Sequence, residues 1–153
     1  MFLIPAILFL ASQNPPDNQI ISQVESFGFG KHFSPWMSRI KQGDPWALAE
    51  LTMECENLVA SLEENHIGAM AKMSIPQIKK LLVSNPGKAN YYLARMTYCA
   101  NFHTSTDGGD VEYLEYLETA SRYGYAMADY RLFRECLGNG KYSVKYQLRV
   151  SRE

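Results

Sequence analysis

Apolar side chains recur at helical spacing through most of this 153-residue chain, and the residues between them are helix starts and stops. Ser34-Pro35 sets an N-cap before a proline at the first helical position, and Trp36, Met37 and Ile40 follow before Gly43 stops the segment. Asp44-Pro45 repeats the device and opens a helix through Cys55 towards Leu62. Ser74 and Gln77 have the spacing of a capping box ahead of Ile78, Leu81 and Leu82. That helix is expected to end at Asn85-Pro86-Gly87. Asn85-Pro86 then caps a helix through Ala89, Leu93, Ala94 and Met96. Asp110 is the expected cap of a helix carrying Tyr113, Leu114, Leu117 and Ala120, stopped at Gly124. Ala128, Leu132 and Cys136 share the face of a last helix, stopped at Gly138-Asn139-Gly140. Short helices with short joints predict an all-α, antiparallel stack of hairpins over residues 34–140.

The two ends depart from this pattern. Residues 1–11 are wholly apolar, and the first charged side chain is Asp17. Such a run is too short to span a bilayer and suits the core of an export signal, here residues 1–13. It lacks a basic residue ahead of the apolar core, and Ala11-Ser12-Gln13 offers small residues without a clean cleavage pattern. The other reading is a first core helix in a cytoplasmic protein. Residues 14–33 form an N-terminal segment that opens on a helix-breaking Asn14-Pro15-Pro16. In the tail, residues 141–153, Tyr142, Val144, Tyr146, Leu148 and Val150 alternate with polar residues, as in a strand. A lone strand has no partner in a helical domain, so helix and strand both stay open there.

Three segments repeat one another. Gly43, Gly87 and Gly124 each stand twelve residues before a cysteine, Cys55, Cys99 and Cys136. Ala47 and Leu51 align with Ala128 and Leu132, and Ala89 and Leu93 align after a shift of two. A small residue lets a neighbouring helix approach, and a Leu one turn later fills the gap. With Gly109-Asp110 as a loop and Thr119–Gly124 as a joint between repeats, the pattern resembles the Sel-one-like repeat family, relatives of tetratricopeptide repeats. Thr52 and Phe133 depart from it where the family prefers Gly. The resemblance implies a short right-handed α-solenoid that binds proteins. Exported members include immunity proteins that neutralise secreted toxins.

Composition narrows the chemistry. Fifteen basic against sixteen acidic side chains leave a net charge of −1, which excludes a strongly basic nucleic-acid binder. No apolar stretch is long enough for a membrane span. The charge is blocky: residues 42–71 hold six acids and no base, and Lys72, Lys79, Lys80, Lys88 and Arg95 follow without an acid. Cys55 and Cys136, at equivalent positions of the first and third copies, are too far apart for a bridge, Cys99 drops out of the shifted register, and all three read as free core residues. His103, Asp107 and Asp110 share one loop without the spacing of a known metal site, so neither metal nor cofactor is expected. No nucleophile, metal or phosphate-loop motif is present.

All ten tyrosines fall between Tyr91 and Tyr146. Tyr113, Tyr116, Tyr123, Tyr125 and Tyr130 are the candidate partner-binding residues, since tyrosine offers large contact area and a hydrogen bond at little entropy cost, and the other reading places some of them in the core. The expected function is a non-catalytic protein-binding module of the cell envelope, periplasmic or secreted, with a secreted toxin as one candidate partner. The alternatives are an envelope scaffold or adaptor and a small hydrolase.

Overall fold

The computed structural model describes residues 17–28, 30–57, 64–101 and 108–138. The apolar leader, the alternating tail and the loop residues His103 and Asp107 lie outside them. Among the described residues every regular element is helical, as the spacing predicts. The helices are α1 (Asn18–Ser26), α2 (Ser34–Lys41), α3 (Ala47–Asn57), α4 (Glu64–Lys79), α5 (Pro86–Asn101), α6 (Gly108–Arg122) and α7 (Ala126–Gly138). None is long and apolar enough to cross a membrane.

Each start has a local cause. Asp17 caps α1, its Oδ1 accepting from the Gln19 and Ile20 amides at 3.0 and 3.4 Å. Asp44 Oδ1 accepts from the Trp46 amide at 2.9 Å and turns the chain into α3. Asn85 Oδ1 accepts from the Lys88 amide at 3.4 Å as α5 opens on Pro86. The stops are equally specific: Gly43 and Gly124 have φ of +78° and +75°, the left-handed conformation that closes a helix without a Cβ penalty.

Three expected starts are corrected. Ser34 does not cap α2. A 3₁₀ turn over Lys31–Phe33 leads in, and the Ser34 amide already donates to the Lys31 carbonyl. Ser74 and Gln77 are not a capping box, because α4 begins at Glu64 and runs through both. The buried Ser74 hydroxyl donates instead to the Met70 carbonyl at 2.8 Å. Asp110 is not the N-cap of α6, which starts two residues earlier at Gly108. Helix α1 falls in the N-terminal segment, where the patterning singled out no helix.

Consecutive helices from α2 to α7 pack on one another, and α3 also packs on α5. Helix α5 is central: Ala89 through Thr97 are all buried, as a helix enclosed by neighbours must be. The core around it contains Leu48, Leu51, Met70, Ile78, Leu93, Met96 and Leu117. The three Ala–Leu pairs lie inside it, Ala47 with Leu51, Ala89 with Leu93 and Ala128 with Leu132. The middle copy differs at its glycine. Gly87 lies within α5, and a Cβ there would meet the Cβ atoms of Tyr123 and Tyr125, each at 3.4 Å.

Candidate functional site

Two surfaces carry the chemistry of the described residues. The first joins α2, α3 and α5. Arg39 on α2 donates through Nε to Asp44 at 2.7 Å and through Nη1 to Glu50 Oε2. These two carboxylates hold its guanidinium proton more tightly than usual, the Glu50 hydrogen bond being the largest cause. The other oxygen of Glu50 accepts from the Tyr92 hydroxyl at 3.1 Å and faces Lys88 Nζ at 3.8 Å. Lys88 stands over the Trp46 ring, 4.4 Å from its centroid, and 5.1 Å from that of Tyr92. Trp46 and Tyr92 meet edge to face at 5.1 Å, and Tyr91 continues the aromatic contact to Tyr125.

A cleft of about 400 Å³ opens beside this network, lined by Pro35, Trp36, Arg39, Glu50, Met53 and Glu54. Both Glu50 oxygens already face donors, and Arg39 is shared between two carboxylates. The network therefore fastens three helices together and presents Trp36 and Glu54 at the rim of the cleft.

The second surface holds the five predicted tyrosines, which the structure divides. Tyr113 lies in the core. It is 5% exposed, and its hydroxyl donates to Glu135 at 3.0 Å, tying α6 to α7. Burial, followed by the Glu135 charge, pushes its phenol far above the usual range. Tyr116 is half-buried, its phenol also raised by burial and then by the Glu112 charge. Tyr125 is half-buried against Tyr91, with ring centroids 5.1 Å apart. Only Tyr123 and Tyr130 stand free, at 62% and 55% exposure.

Their neighbours complete a surface that tyrosine counting overlooked. Met127 and Phe133 on α7 are also exposed, at positions i−3 and i+3 from Tyr130. Ala128 and Leu132 are buried on the opposite side of the helix. The period-3.6 pattern held both signals, since a helix whose inward face is Ala128 and Leu132 must turn Tyr130 outward.

Of the remaining candidates, Cys99 is a free, buried cysteine. The side chains of Cys55, Cys136 and Asp110 lie outside the described set. His66 stacks on Phe27 at 4.4 Å. Among the described residues no group of three His, Cys, Asp or Glu side chains is placed to hold a metal ion. No family model, curated protein or solved structure matches the chain.

Proposed function

We propose that the protein is a non-catalytic, protein-binding stack of helical hairpins that receives its partner on the outer face of α7. One observation carries the reading: Tyr123, Met127, Tyr130 and Phe133 are large apolar side chains exposed together at the end of the described stack. Clustered aromatic and Met side chains on a surface are the composition of an interface centre. The repeat resemblance supplies a specific form of this reading, in which the chain is exported behind its apolar leader and neutralises a secreted toxin.

A photo-cross-linking residue at position 127, 130 or 133 in the producing cell tests the surface. A discrete protein adduct is expected from these positions and none from exposed Ser26 on α1. Equal adducts from both faces, or none from α7, refute the assignment. For the toxin reading, purified chain should inhibit a secreted toxin encoded beside it in the producing cell, and Tyr130→Asp should abolish inhibition without lowering the melting temperature.

A further inference from the structure

The proposed partner surface leaves a second, differently charged face unused. Lys72, Pro76, Lys79 and Lys80 fall at i, i+4, i+7 and i+8 along α4 and its end, and all four are exposed. Buried Met70, Ala71, Ser74 and Ile78 occupy the opposite side. Beyond the helix the chain keeps winding, with the Lys80, Leu81 and Leu82 amides each donating to the carbonyl three residues back. That pitch places Val83 one turn above Lys80. Leu81 and Leu82 pack against the core, while Val83 is 96% exposed at the tip of the turn. Among the described residues none of the three lysines has an ion-pair partner.

We infer that this stripe of Lys72, Lys79, Lys80 and Val83 is a peripheral docking face for an anionic lipid surface. A single exposed Val is ordinary on a protein. Here it stands beside exposed lysines on the outer side of a helix and turn, away from the clefts beside Trp36 and beside Met37. A basic strip with one fully exposed apolar tip fits a broad, charged, apolar-cored layer, where the lysines meet the headgroups and the Val83 side chain enters beneath them. Lysines near an anionic leaflet each add to affinity, and an apolar tip gains by entering the headgroup region. The inference is independent of the α7 partner surface.

Co-sedimentation of the full chain with vesicles of phosphatidylcholine alone, and with one part in three of phosphatidylglycerol, tests it. Binding to the anionic vesicles alone is expected, weakening at high salt as the charges are screened. K79E/K80E should lower the vesicle-bound to free ratio by roughly tenfold or more, and V83D should lower it further with the helical spectrum unchanged. Three results would overturn the inference: no binding to anionic vesicles, binding unaltered by K79E/K80E, or capture by polyglutamate beads with no vesicle binding.

Discussion

Glu50 of α3 accepts a hydrogen bond from the Tyr92 hydroxyl of α5 at 3.1 Å, across 42 positions of sequence. This contact closes the network in which Arg39 and Lys88 flank the same carboxylate. It makes Glu50 the point where α2, α3 and α5 are fastened. Tyr92→Phe removes one charge-assisted hydrogen bond and keeps the ring packed on Trp46. It should cost about 1.5–3 kcal/mol in urea unfolding. Glu50→Gln leaves Asp44 as the only carboxylate of this network on Arg39 and should cost as much or more. A double variant much less harmful than the sum of the two singles would confirm that they act through one contact.

The joints predict a contrast between two glycines. Gly87 has ordinary helical backbone, and a Cβ there sits in van der Waals contact with Tyr123 and Tyr125. Gly87→Ala should be neutral or stabilising by up to about 1 kcal/mol, because Ala favours the helix. Gly87→Leu has no room and should cost about 1–3 kcal/mol by forcing α5 from the α6–α7 joint. Gly124 has open space for a Cβ and φ of +75°. Gly124→Ala should therefore cost about 1–2 kcal/mol from backbone strain alone. Thermal unfolding of the three variants separates crowding from conformation.

These joints also show how far the sequence was legible. Gly43, Gly124, Asp44 and Asn85-Pro86 were readable because each acts on its own turn. The Ala–Leu pairs were readable because helical spacing states which face is buried. Ser74 misled because a hydroxyl can satisfy itself on the carbonyl four residues back, within a helix already under way. Pro76, in the same stretch, lies inside α4 without ending it. The carbonyl that loses its donor there is Lys72, and both residues lie on the solvent side of α4, where water can replace the missing amide. The Glu50 network left no local trace, since its members come from three helices. The tyrosine cluster was visible as composition, and helical spacing turns Tyr130 outward, but the contact that seats Tyr113 on Glu135 depends on the α6–α7 packing.

Alkaline pH should weaken the fold. Burial, then the Glu50 charge, raises the Tyr92 phenol, and burial likewise raises Tyr113, Tyr116 and Tyr125. In the unfolded chain tyrosine titrates near ~10. The folded state thus retains protons that the unfolded state releases, so the tyrosines' contribution to stability is level below about pH 10 and falls as pH rises beyond it. Urea midpoints measured across that range should show the decline. Tyr92→Phe and Tyr113→Phe should each flatten it, and absorbance at 295 nm should show a late-titrating set of phenols that urea restores to normal.

The two kinds of tyrosine should part cleanly when stability and binding are measured on the same variants. Tyr113 is buried with its hydroxyl on Glu135, so Tyr113→Phe removes a hydrogen bond to a charged acceptor and should cost about 1.5–3 kcal/mol. Tyr130 is more than half exposed at the centre of the outward face of α7, so Tyr130→Ala should stay within about 0.5 kcal/mol of the parent. Binding should rank them in reverse. Tyr130→Ala and Phe133→Ala should each weaken partner capture by tenfold or more, the loss expected at an interface centre. Tyr113→Phe should leave capture unchanged at temperatures where it is folded. If Tyr130→Ala and Phe133→Ala bind the partner as the parent does, the apolar face of α7 serves another purpose and the assignment fails.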